Sequence, residues 1–166
     1  MAYVAEKQPP IWLQMRNAGY QAGHILTHFG ISRPAIDVLS VARGLEVQLY
    51  MSNDPRFLGA IQSTDESATL WFDMHDQPKR QRFTIAHELG HLMLHPLGVL
   101  FRDQTFGGSE MEQQANAFAA DLLMPKAMLQ ADVYRYGADS SVLADLYAVS
   151  LTAMKIRLQA MGIPFR

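Results

Sequence analysis

The chain has 166 residues, 49% hydrophobic and 18% charged, the balance of a globular domain with enough apolar material for a sizeable core. Basic and acidic residues number 14 and 16, for a net charge of −2, which removes the basic surplus expected of a nucleic-acid or anionic-membrane binder. Cysteine is absent, which excludes disulfide scaffolds, thiolate zinc sites, iron–sulfur clusters and cysteine nucleophiles.

The length suits a single domain over 1–166, with no repeat and no linker long enough to divide it. The start, MAYVAEKQPPIW, lacks the basic segment and apolar run of a signal peptide. The most apolar stretch, Leu89–Phe101, is interrupted by Gly90, His91, His95, Pro96 and Gly98, well short of the roughly 20 residues that cross a bilayer. A soluble, cytoplasmic protein without membrane contact is the expectation.

In chain order, the apolar spacing of Trp12, Met15, Ile25, Leu26 and Phe29 predicts a helix from Ile11 to about His28, ended near Gly30. A second helix is expected from Pro34 to Gly44. Leu45–Met51, Leu58–Gln62 and Thr69–Asp73 read as short strands of a small, mostly antiparallel sheet, because their connections are too short for helical crossovers. From Pro78 the pattern turns helical: a helix over about 80–95, a loop with Pro96, Gly98, Gly107 and Gly108, and a helix from about Ser109 to Met124, stopped by Pro125. Two or three shorter helices fill 126–162 and close the core. Helices, then a sheet, then helices argue for an α+β domain.

His87-Glu88-Leu89-Gly90-His91 is an HExxH sequence. Residues four apart on a helix differ by about 40° in azimuth and about 6 Å in rise, so two imidazoles converge on one metal while Glu88 stands about 100° round. Zinc suits neutral imidazole and leaves a fourth, open position for water, although the same donors also accept manganese or iron. Phe83, Ala86, His87, Gly90, His91 and Leu94 form one stripe, so both histidines face inward, and Ala86 and Gly90 allow another element to approach closely.

A third ligand is needed. His95 lies about 12 Å along the helix from His87, too far for one ion, and is expected to pack or to touch substrate. On the next helix Glu110 and Glu112 differ by about 200° in azimuth. Glu112 shares the inward stripe with Ala115, Asn116, Ala119 and Leu123, whereas Glu110 lies with Gln114 and Asp121 on a solvated face. Glu112 is the expected ligand, and Asn116 either hydrogen-bonds a ligand or makes a plain helix contact. With His87, His91 and Glu112 on the metal, Glu88 would be the catalytic base of metal-assisted peptide hydrolysis.

The run Arg82-Phe-Thr-Ile-Ala-His-Glu-Leu-Gly-His-Leu-Met-Leu-His95, followed by Glu112-Gln-Gln-Ala-Asn116-Ala-Phe-Ala-Ala-Asp-Leu-Leu-Met-Pro125, resembles the ImmA/IrrE metallopeptidases. Gln114 departs from the pattern, where members often carry a second glutamate. The resemblance implies a zincin-like fold, His87, His91 and Glu112 as zinc ligands and Glu88 as base. It also implies a helix-turn-helix repressor of the Xre type, or an antitoxin, as the protein substrate. A zinc-stabilised module that binds the repressor without cutting it is the alternative.

Three quieter features stand beside this site. Ala144, Val149, Ser150 and Met154 have helix-turn-helix spacing, but with only Lys155 and Arg157 basic nearby, a helical pair closing the core or docking a partner is expected over DNA reading. His24 and His28 are four apart without an acidic partner, which speaks against a second metal site. Lys79, Arg80 and Arg82 read as a solvated basic run.

Overall fold

A computed structural model describes residues 7–56, 58–103 and 108–166. The first six residues of the segment read as lacking a signal peptide, and Gly107 of the predicted loop, lie outside the described residues.

The single helix expected over 11–28 is two: α1 (Ile11–Asn17) and α2 (Ala22–His28). Gly19, at φ +74°, breaks them by taking a left-handed conformation that other residues rarely adopt. Helix α3 (Val38–Gly44) starts later than Pro34 because Asp37 caps it, accepting the Ser40 amide at 3.1 Å.

Strands β1 (Gln48–Ser52), β2 (Gly59–Ser63), β3 (Ala68–Asp73) and β4 (Phe101–Asp103) form one sheet in the order β1-β3-β2-β4. Two pairings, β2–β3 and β2–β4, are antiparallel, and β1–β3 is parallel. The mostly antiparallel sheet expected from the short connections is present, and its parallel pairing, at β1, has a geometric reason. The chain leaves β1, skips one position to lay down β2, and returns as β3 between them, so β2 itself supplies the crossover. β4 falls in the segment expected to be loop. Three residues are too few to show a period.

Helix α4 (Pro78–Leu94) begins with proline in its first turn and is buried continuously from Thr84 to Met93. It lies against β2 and β3 on one side and α5 (Glu110–Leu123) on another, with α1 and α3 also in contact. A helix enclosed on several sides need not show a single apolar stripe, so the stripe read from sequence marks only the side facing α5. Burying Ile85, Leu89 and Leu92 here contributes about 1.5–3 kcal/mol each. Helices α6 (Lys126–Tyr136), α7 (Ser140–Tyr147) and α8 (Leu151–Ala160) follow. Asp139 and Ser150 cap the last two, and Ala148, at φ 51°, makes the turn between them.

Arg82 departs from the solvated run predicted for it. Half-buried, it donates to the carbonyls of Ile36, Tyr147 and Ala148, tying α4 to the segment before α3 and to the end of α7. Its burial holds the guanidinium pKa below the usual value. Lys79 and Arg80 remain on the surface, paired with Asp145 and Asp76. Among the described residues, no helix is long and apolar enough to cross a membrane.

Candidate metal centre

The chain could not bring Glu112 to the histidines unless α4 and α5 approached closely, and Gly90 is where they meet. A Cβ at residue 90 would stand 3.0 Å from the Ala115 Cα, 3.1 Å from its carbonyl oxygen and 3.1 Å from the Phe118 Cβ. The approach that the small residues of α4 predict is therefore present. Ser109 caps α5 by accepting the Glu112 amide at 3.2 Å, which puts Glu112 in the first turn, where the helix dipole favours a carboxylate.

His87 and His91 are fully enclosed and project from α4 on the same side. Their Nε2 atoms are 3.2 Å apart, and Glu112 places Oε2 3.0 Å from His87 Nε2 and Oε1 3.0 Å from His91 Nε2. Among the described residues these three form the cluster able to hold a metal ion. His24 and His28 do not: His24 Nδ1 accepts the Gln21 amide at 2.9 Å in a helix cap.

The outer hydrogen bonds decide which nitrogens face the centre. Asn116 Oδ1 accepts from His87 Nδ1 at 2.8 Å, so Asn116 hydrogen-bonds the imidazole rather than making a plain helix contact, and the His87 Nε2 lone pair faces inward. Gln114 Oε1 accepts from His95 Nε2 at 2.9 Å, which leaves His95 Nδ1 as the acceptor for His91 Nδ1–H at 2.7 Å. The His91 Nε2 lone pair then faces inward as well. Two lone pairs and a carboxylate so close repel one another unless a cation lies between them. Groups bound to one tetrahedral ion at about 2.0–2.1 Å stand roughly 3.3 Å apart, close to the separations here, so the donor set fits a divalent metal.

Sequence reasoning placed His95 as a packing or substrate-contact residue and Gln114 on a solvated face. His95 is buried, and Gln114, although exposed, reaches it. The available signal was His95 four residues after His91, on the same side of the helix. Glu110 is solvated as predicted and accepts from Gln114 Nε2 at 3.3 Å.

Glu88 is fully buried beside His87. It needs Gly59 on β2, because a Cβ there would fall 2.5 Å from Thr84 Cγ2 and 2.9 Å from Glu88 Oε1. The sequence gives no sign of this beyond a glycine in a strand, which often marks a close approach.

The IrrE N-terminal-like domain family model, Peptidase_M78, matches residues 44–159. The radiation response metalloprotease IrrE of Deinococcus radiodurans is 37% identical over 76 residues, 42% of this chain and 23% of that protein. Its namesake from Deinococcus deserti is 30% identical over 125 residues, 71% of this chain and 44% of that protein. The chain thus spans less than half the length of these relatives. With its HExxH helix, its glutamate-bearing helix and a family match over most of its length, the chain belongs to the Peptidase_M78, or IrrE N-terminal-like, family.

Proposed function

We propose that this chain is a zinc-dependent endopeptidase of the cytoplasm whose substrate is a helix-turn-helix repressor or antitoxin of the Xre type. His87, His91 and Glu112 hold the metal, and Glu88 is the catalytic base. The convergence of two imidazole Nε2 atoms and the Glu112 carboxylate, with Glu88 buried next in sequence to His87, carries this reading. The family membership and the names of the relatives support a metalloprotease, and the resemblance of the paired motifs supports the repressor substrate.

When bound, the metal supplies electrophilic polarisation of the scissile carbonyl and lowers the pKa of the attacking water. The protein's residues do the rest. Asn116, and His95 with Gln114, fix the two histidines in the tautomers that present Nε2. Glu88 takes the proton from the attacking water on its carboxylate and passes it to the leaving amine. The burial of Glu88 keeps bulk water from competing for that proton.

Incubation of the zinc-loaded protein with Xre-type repressors tests the reading. Wild type cleaves a cognate repressor, and Glu88→Gln keeps the metal but cleaves about 10²–10⁴-fold more slowly. Equal cleavage by Glu88→Gln would remove the role given to Glu88. A stable complex with both proteins intact would establish the binding module instead.

A further inference from the structure

A groove of about 750 Å³ opens between the start of α4, the middle of α5 and the exposed side of α8, within the roughly 300–1,000 Å³ of ligand pockets. Two of its lining residues, Phe83 and Asn116, touch His87. The Phe83 ring stacks on His87, with centroids 6.3 Å apart and planes 30° from parallel, and Asn116 hydrogen-bonds the same imidazole. Through these two residues the groove borders His87, one member of the cluster able to hold a metal. From there it runs past Ala120 and Met124 to Ala153 and Ile156 of α8.

Ile156 is 62% exposed, whereas Met154 and Leu158 of the same helix are buried. The cations along the groove already have carboxylate partners: Lys79 with Asp145, Arg80 with Asp76 and Arg157 with Asp121. An acidic ligand would have to displace them, while an apolar one meets the carbon surface of Phe83, Met124 and Ile156. Thr152 and Ile156 lie on the side that a DNA-reading helix would present, yet here they line the groove.

We infer that this groove binds an apolar stretch of the substrate polypeptide next to the scissile bond, and that Ile156 and Thr152 of α8 are specificity-determining residues. The inference rests on the metal-site reading above and assigns α8 a part in substrate selection.

The test uses the zinc-loaded full chain and hydroxamates, which chelate the metal. Acetohydroxamate probes the centre alone. Two further series carry paired leucines, or paired glycines as controls, one extending N-terminally and one C-terminally from the chelating group. Calorimetry should show one leucine series binding at least about tenfold tighter than its glycine control. That gain should disappear in Ile156→Asp, with acetohydroxamate affinity unchanged. Thr152→Asp, also on the exposed side of α8, provides a second variant should Ile156→Asp fail to fold. With acetohydroxamate binding intact, no leucine gain in wild type, or an equal gain in the variants, would overturn the groove and leave the metal site standing. No binding of acetohydroxamate would remove the metal-site reading and the groove with it.

Discussion

Replacing Gly90 with alanine sets two effects of known size against each other. In a helix interior, alanine is favoured over glycine by about 1 kcal/mol. At this position, however, the new Cβ meets backbone: the Ala115 Cα at 3.0 Å and its carbonyl oxygen at 3.1 Å. Neither atom can rotate away, so α5 must shift by a few tenths of an ångström, and such overpacking typically costs 1–3 kcal/mol. The net expectation is a loss of about 0–2 kcal/mol. At about 2–4 °C per kcal/mol for a chain of this size, the metal-free protein should lose roughly 0–8 °C in Tm. The shift also moves Glu112, one helical turn before Ala115 and Asn116, away from the histidines, so zinc affinity should fall about tenfold. Gly23→Ala in α2 is the control, because nothing lies within 4 Å of its added Cβ, and it should gain up to about 1 kcal/mol. Thermal melts in chelator and zinc titrations of the two variants measure both effects. If Gly90→Ala matched the stabilisation of Gly23→Ala and bound zinc like wild type, the close approach of α4 and α5 would not be what brings Glu112 to the site.

Three further outcomes follow from the hydrogen bonds. Gln114→Leu removes the acceptor that orders His95 and should lower zinc affinity about 10–100-fold, while nitrogen-15 spectra of His91 show loss of the pure Nδ1–H tautomer; an unchanged tautomer would refute the ordering role. Gln114→Glu keeps an acceptor and should bind zinc at least as tightly as wild type. Tyr147, enclosed and donating to Asp132 at 2.7 Å, has a phenol held well above its usual pKa, first by burial and then by that hydrogen bond. A raised folded-state pKa stabilises fully below the ordinary value near 10 and is lost as pH climbs above it. Urea midpoints should therefore fall between pH 8 and pH 11 in wild type, and Tyr147→Phe should start lower by about 1–3 kcal/mol but decline less steeply.

Much of the metal centre is legible because it obeys helix geometry. His87 and His91 are one turn apart, and Glu112 rather than Glu110 lies on the inward side of α5, both consequences of a fixed 100° step. The α+β class is legible for the same reason: the switch from period 3.6 to period 2 and back is local. What was hidden depends on contacts distant in sequence. The parallel pairing of β1 with β3 arises because β3 fills the gap beside β2, and no residue of β1 announces it. Gly59 looks like any glycine until Glu88 lies over it, and Arg82 looks like any surface cation until three carbonyls from two other segments surround it. Gln114 was assigned to solvent correctly by azimuth, but a long side chain can reach back over the helix to His95.

Zinc stoichiometry and affinity, measured against a competing chelator for wild type, Glu112→Ala and Glu88→Gln, test the central claim most directly. Wild type and Glu88→Gln should each hold one zinc per chain with similar affinity, and Glu112→Ala should bind much more weakly or not at all. Wild-type affinity in Glu112→Ala would contradict the assignment of the carboxylate on α5, and no zinc in any of the three would contradict the metal centre itself.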